Sequence, residues 1–149
     1  MNLKGITMKN ILITGGAGLV GTVLTKGLKD KYNVKILDIK KADGVESHTG
    51  DISNLDSIMP AFKNIDTVVH LAGDRRVHGE WESILDNNII GLYNIYEAAR
   101  LSGVKRVIFA SSQHATGGFY DVEPYSFISK GEFEKLPNDY KPLDETCRI

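Results

Sequence analysis

The chain has 149 residues, 42% of them hydrophobic and 25% charged, which is enough apolar material for one domain with a real core. Eighteen basic side chains against 19 acidic ones leave a formal charge of −1, so the composition gives no reason to expect nucleic acid or an anionic membrane as a partner. The single cysteine, Cys147, excludes an internal disulfide, the histidines show no metal-type spacing, and no apolar run is long enough to span a bilayer.

The opening "MNLKGITMKN" has no apolar stretch of the kind a secretory signal needs. Residues 1–8 are expected to be a leader, with a single domain over 9–149 in a cytoplasmic setting. "NILIT" (Asn10–Thr14) is the first short, nearly continuous apolar run and predicts a buried strand. A glycine cluster follows, then a helical pattern with Val20, Val23, Leu24 and Leu28 on one face. "VKILD" (Val34–Asp38) predicts a second strand and "VESHTGD" (Val45–Asp51) a weaker one. After the capping sequence "SNLD", Leu55, Ile58, Met59 and Phe62 outline a short helix in which Pro60 is tolerated only in the first turn. "TVVHLA" (Thr67–Ala72) is a further strand. The longest helix is "EWESILDNNIIGLYNIYEAARLSG", with Trp81, Leu85, Leu92, Tyr96 and Ala99 as its buried stripe and Gly103 as its stop. "RVIFAS" (Arg106–Ser111) predicts the last strand, and beyond Ala115 the pattern dissolves into a long loop-like stretch. Strands alternating with helices predict an α/β fold: a Rossmann-like, doubly wound parallel sheet, cut off after about five strands.

The glycines sit where the first strand turns into the first helix. They fit G-x-x-G-x-x-G through Gly15, Gly18 and Gly21, and G-x-G-x-x-G through Gly16, Gly18 and Gly21. Such a turn lets backbone N–H groups approach a diphosphate unshielded by any Cβ, and the helix N-terminus directs roughly half a positive charge at the same anion. A bare strand-to-helix turn could show the same pattern, but an acidic residue also ends the second strand. Asp38 lies 17 positions after Gly21 and can accept hydrogen bonds from both hydroxyls of an adenosine ribose, while repelling a 2′-phosphate. Lys40 and Lys41 follow closely, so NAD is the expected cofactor and NADP the lesser one.

With these residues in view, the chain resembles the extended short-chain dehydrogenase/reductases, the NAD-dependent sugar epimerases, dehydratases and related dehydrogenases. The likeness is carried by "TGGAGLVG", "GDI" (Gly50–Ile52), "HLAG" (His70–Gly73) and "NNIIGLYNIYEAARLSGVKRVIFASS", in the family's order. The resemblance implies that Gly15, Gly18, Leu19, Val20 and Gly21 border the cofactor's phosphates. It places Asp51 and Ile52 beside the adenine, and Leu71, Ala72 and Gly73 beneath the cofactor. Asn88 would support the active site from the long helix, where its amide falls on an otherwise apolar stripe; neighbouring Asn87 keeps that assignment open by one position. Ser111 and Ser112 end the last strand at the sheet's carboxyl edge, and Ser112 matches the serine that meets the reacting oxygen. The run "QHATGGFY" departs from the usual family pattern. It is similar to the "SSNH…G" segment of uronate dehydrogenases, with Gln113 in place of Asn, which places Ser111, Gln113 and His114 near a sugar acid.

The family's chemistry also needs a tyrosine and a lysine spaced Y-x-x-x-K on a later helix. Tyr125 and Lys130 are five apart, about 500° of helix, and do not fit. The expectation is therefore the NAD-binding front portion of an NAD-dependent sugar epimerase, dehydratase or dehydrogenase, inactive alone, whose full-length form takes a sugar or nucleotide sugar and is a homodimer. The alternative is a non-catalytic dinucleotide-binding module. No metal site is expected.

Overall fold

The computed structural model describes residues 8–76, 79–112 and 119–141, and the chain divides into two compact units between Ala110 and Ser111. In the first unit, five strands form one parallel sheet: β1 (Asn10–Thr14), β2 (Asn33–Asp38), β3 (Glu46–Thr49), β4 (Thr67–His70) and β5 (Arg106–Phe109). Their order is β3-β2-β1-β4-β5, with Ile13 of β1 set between Ile36 of β2 and Val69 of β4. This is the expected α/β, Rossmann-like sheet. The chain leaves β1 toward β2 on one side and returns to pair β4 on the other, so a topological switch lies between β1 and β4.

In β1, β2 and β4 the apolar runs lack alternation because both faces of the sheet are covered there, whereas β5 at the edge leaves Ile108 and Phe109 exposed. Leu12, Leu37 and Val68 pack on one face with Phe62, Ile95 and Ala98. Ile11, Ile13, Val34 and Val69 point to the other, where Leu24 and Leu28 of helix α1 (Leu19–Leu28) meet them.

Three helices differ from their sequence-based expectation, each for a local reason. In α1 the buried residues are Gly21 and Thr25, while Val20 and Val23 stand 63% and 66% exposed. The helix lies on the sheet through its glycine, and the face centred there (Gly21, Leu24, Thr25, Leu28) rotates Val20 and Val23 outwards. The next helix is split. Asn54 caps α2 (Leu55–Ile58) by accepting the Ser57 N–H at 3.2 Å. Pro60, which has no N–H for an α-helical bond, then turns the chain into a 3₁₀ segment over Met59–Phe62. The longest helix is α3 (Trp81–Ile84), a π-helical segment (Leu85–Ile90) and α4 (Gly91–Leu101). The wide turn shifts the phase of the stripe. Trp81 and Tyr96 are exposed, and Gly91, Asn94, Ile95, Ala98 and Ala99 are buried. Buried Asn94 donates from Nδ2 to the Ile52 carbonyl at 2.8 Å. β4 and β5 each end two residues earlier than the sequence suggests.

In the second unit, the stretch expected to be a loop contains helix α5 (Tyr125–Lys130) and a 3₁₀ turn over Phe133–Lys135. Pro124 precedes α5, and Gly131 ends it in the left-handed region at φ 74°. Tyr125 meets Phe119 edge to face at 5.3 Å, and Ser129 Oγ donates to the Tyr120 carbonyl at 2.9 Å. Tyr125 and Lys130 stand at opposite ends of this helix, so their five-residue spacing still turns them to different sides.

His70 ends β4 in the sheet interior, 1% exposed. Its Nδ1 lies 2.6 Å from Thr14 Oγ1, and its ring stacks on Phe109 at 5.6 Å. Burial disfavours the imidazolium and lowers the pKa from 6.5 to about 4. The unfolded chain therefore binds a proton near pH 6.5 that the folded chain does not take up until about pH 4. Stability is complete above pH 6.5 and falls with decreasing pH through that window, by about 1.4 kcal/mol per pH unit at most. Urea unfolding at pH 7.5, 5.5 and 4.5 is expected to show this slope, and His70→Gln to flatten it. An unchanged slope in the variant would assign the acid sensitivity to other groups.

Candidate functional site

Every segment that leaves the carboxyl ends of β1 to β4 contributes to one crevice of about 900 Å³ at the switch point. Its floor is the turn from β1 into α1. Gly15 has φ +70°, and a Cβ there would stand 2.8 Å from the Ala72 nitrogen. A Cβ on Gly21 would come within 2.5 Å of both the Gly15 carbonyl and the Gly16 Cα. Backbone thus packs on backbone, and neither position accepts a side chain. Gly18, the residue before α1, makes no side-chain cap, and the first turn of the helix carries no acidic group. The opening amides of α1 therefore face the crevice with the positive end of the helix dipole behind them.

Asp38 closes one end. Its Oδ2 accepts the Ala17 N–H at 3.0 Å and its Oδ1 the Lys40 N–H at 3.0 Å, which ties the glycine turn to the end of β2. Each oxygen keeps a further lone pair for hydroxyl donors. The Gly15 N–H, donated to the Leu37 carbonyl at 2.8 Å, fixes the same junction.

The other wall follows β4. Leu71, Ala72 and Gly73 line it, and then comes Asp74, which Asn88 holds by the backbone. Asn88 Oδ1 accepts the Asp74 N–H at 2.6 Å, and Asn88 Nδ2 donates to the Asp74 carbonyl at 2.8 Å. The Asp74 carboxylate in turn accepts from Arg76 Nε at 3.0 Å and from Ser83 Oγ at 2.6 Å, and it pairs with Arg76 Nη2. Hydrogen bonds from Arg76 first, and from Ser83 next, hold the Asp74 carboxyl well below the usual carboxylate range, and the same contact raises the Arg76 pKa. Asn87 Nδ2 donates to the Ser83 carbonyl at 2.9 Å.

Of the expected site residues, Gly15, Gly18, Leu19, Val20, Gly21, Asp38, Ile52, Leu71, Ala72 and Gly73 line the crevice together. Asp51 does not join them. Its Oδ1 accepts from Ser53 N and Ser53 Oγ at 2.9 and 2.8 Å, inside the turn that precedes α2. Asn88 acts on the wall from behind, and its neighbour Asn87 reaches the lining. Ser111 and Ser112 follow β5 in the chain and open the second unit. Gln113 and His114 lie outside the described residues. Sequence reasoning passed over Asp74, Arg75, Arg76 and Ser83, all of them in the lining. The signal was the charged run "DRR" directly after "HLAG", at the carboxyl end of a central strand. Among the described residues no cluster of three or more His, Cys, Asp or Glu is arranged to hold a metal, and no helix is long and apolar enough to cross a membrane.

Residues 11–140 match the model of the NAD dependent epimerase/dehydratase family. The L-arabinose 1-dehydrogenase (NAD(P)(+)) of Haloferax volcanii is 36% identical over 72% of this chain and 42% of its own length. The NAD-dependent glucose-6-phosphate dehydrogenase of the same organism is 33% identical over 91% of this chain and 51% of its own. The chain thus spans about half the length of these relatives. Among solved structures, a mutant uronate dehydrogenase from Agrobacterium tumefaciens complexed with NAD superposes with a TM-score of 0.67 at 37% identity. That match covers 72% of this chain and 42% of the other.

The Asn88 clamp carries an energetic consequence. Asn88→Ala leaves the Asp74 amide and carbonyl without partners, and urea unfolding is expected to show a loss of about 1–3 kcal/mol. Asn88→Asp keeps the acceptor and loses the donor, so an intermediate loss is expected. Equal stability of wild type and Asn88→Ala would remove the clamp from the account of the site.

Proposed function

The chain belongs to the NAD-dependent epimerase/dehydratase family, and from that premise we propose that it is the NAD-binding portion of a sugar oxidoreductase. The observation that carries the proposal is the β1–α1 turn, where backbone contacts too close for any Cβ leave the α1 amides facing the crevice, with Asp38 beyond them. The diphosphate of NAD belongs on those amides, and the adenosine ribose belongs on Asp38. Leu71, Ala72 and Gly73 supply a low wall under the rest of the cofactor. NAD supplies the acceptor for a hydride from the sugar carbon.

The chain's own residues divide the remaining work. Asn88 is a positioning residue, because it fixes the backbone after β4 without reaching the crevice. Ser112 is proposed to hydrogen-bond the reacting oxygen of the sugar, with Ser111, Gln113 and His114 beside it. The named relatives and the solved uronate dehydrogenase support a sugar as the substrate.

Calorimetric titration of the chain with NAD and NADP is the test. NAD is expected to bind more tightly, since the Asp38 carboxylate repels a 2′-phosphate. A methyl at Gly18 would have only the Gly15 carbonyl near it, at 3.2 Å, so Gly18→Ala is expected to keep the fold. The methyl would still stand where the diphosphate must approach. Asp38→Ala is expected to weaken NAD by about 1.5–3 kcal/mol, the range for a hydrogen bond to a charged group. Unaltered NAD affinity in both variants would overturn the assignment.

A further inference from the structure

The wall that follows β4 carries a cation with no assigned task. Asp74 is fixed at its backbone by Asn88 and at its carboxylate by Arg76 and Ser83. Arg76 is consumed in that pairing. Arg75 lies between them, lines the crevice, is exposed, and has no hydrogen-bond or ionic partner among the described residues. Both neighbours in the chain are locked, so its backbone is held while its guanidinium stays free. The backbone part of the ordering cost is thus met before a ligand arrives, and only the side-chain part remains.

We propose that Arg75 recognises an anionic group, a carboxylate or a phosphate, on the sugar substrate; the inference rests on the dinucleotide reading above. The charges lining the crevice lead to it. Asp74 and Arg76 neutralise each other. Lys40 stands two residues from Asp38, at the end assigned to the adenosine ribose. Among the described lining residues Arg75 is the remaining cation, and it belongs to the opposite wall. The cofactor's diphosphate already has the α1 amides and the helix dipole and needs no further cation. Ala72 abuts Gly15, and three residues of extended chain span at most about 11 Å, so the Arg75 backbone stands within about 11 Å of the β1–α1 turn, near enough for its long side chain to meet a sugar bound beside the cofactor. A planar guanidinium offers two parallel N–H groups, matched to the paired oxygens of a carboxylate or phosphate. Neutral sugars have nothing comparable to give it.

The test uses the whole chain saturated with NAD and follows the binding of glucuronate, glucose 6-phosphate and glucose by ligand-observed NMR. Wild type is expected to prefer the two anionic sugars over glucose. Arg75→Ala is expected to lower affinity for both anions by roughly tenfold or more, leave glucose unchanged, and leave NAD affinity within about twofold. Arg75→Lys keeps the charge without the fork and is expected to recover part of the loss. Three results overturn the inference: no preference for anions in wild type, equal losses for glucose and the anions in Arg75→Ala, or a large loss of NAD affinity in that variant, which would make Arg75 a diphosphate contact. Failure of wild type to bind NAD at all is a different result, because it overturns the dinucleotide reading and this inference with it.

Discussion

The contact that the rest depends on is the approach of α1 to the β1 turn. Gly21 lies against the backbone of Gly15 and Gly16 at a distance no Cβ allows. That closeness sets the angle at which the helix leaves the sheet and aims its first amides along the strand ends rather than into the core. It also leaves Gly15 against Ala72, so the segment leaving β4 runs directly beside the turn. One steric constraint thus produces the crevice, gives it a positive floor and sets its second wall. Asp38 strengthens the arrangement because its carboxylate holds the Ala17 and Lys40 amides together before any ligand is present. The group proposed to accept ribose hydroxyls is already oriented, and little conformational freedom remains to be lost on binding.

The second wall is built by a different device. The π-helical turn over Leu85–Ile90 widens the long helix where Asn87 and Asn88 occur. One asparagine reaches the crevice lining, and the other clamps a backbone segment behind it. In a regular helix, consecutive residues diverge by about 100°, and a π turn alters that spacing locally. Asn88, within that turn, satisfies the amide and carbonyl of Asp74.

Much of this was legible in the sequence, and the portion that was not has a common cause. The strands declared themselves because a parallel sheet covered on both faces demands unbroken apolar runs. The glycine turn and Asp38 declared themselves because few other residue types meet their steric and charge requirements. Most of what failed assumed a straight α-helix in a known phase. The stripe through Trp81 and Tyr96 was displaced by the π turn, and the helix containing Pro60 broke at that residue. Val20 and Val23 were assigned to the core because they are apolar, although the glycine beside them decides which face is buried. Asp51 is absent from the lining, and its Oδ1 accepts two hydrogen bonds from Ser53 two residues on. Local hydrogen bonds of that kind compete with site roles and are hard to weigh without coordinates.

The division of the chain at Ala110 falls where the proposed roles also divide. All the described residues that line the dinucleotide crevice precede that point, whereas the serines proposed to meet the reacting oxygen follow it. Cofactor recognition depends on steric closeness between backbones, which tolerates almost no change. Substrate recognition depends on side chains projecting from loops, which can change without moving the sheet. Arg75 is informative because it breaks this partition. It is a side chain that can change, yet it projects from the sterically and hydrogen-bond constrained segment after β4, with its neighbours already fixed. On the proposed role, a substitution at that one position alters the charge offered to a sugar while the turn, the helix dipole and Asp38 remain as they are.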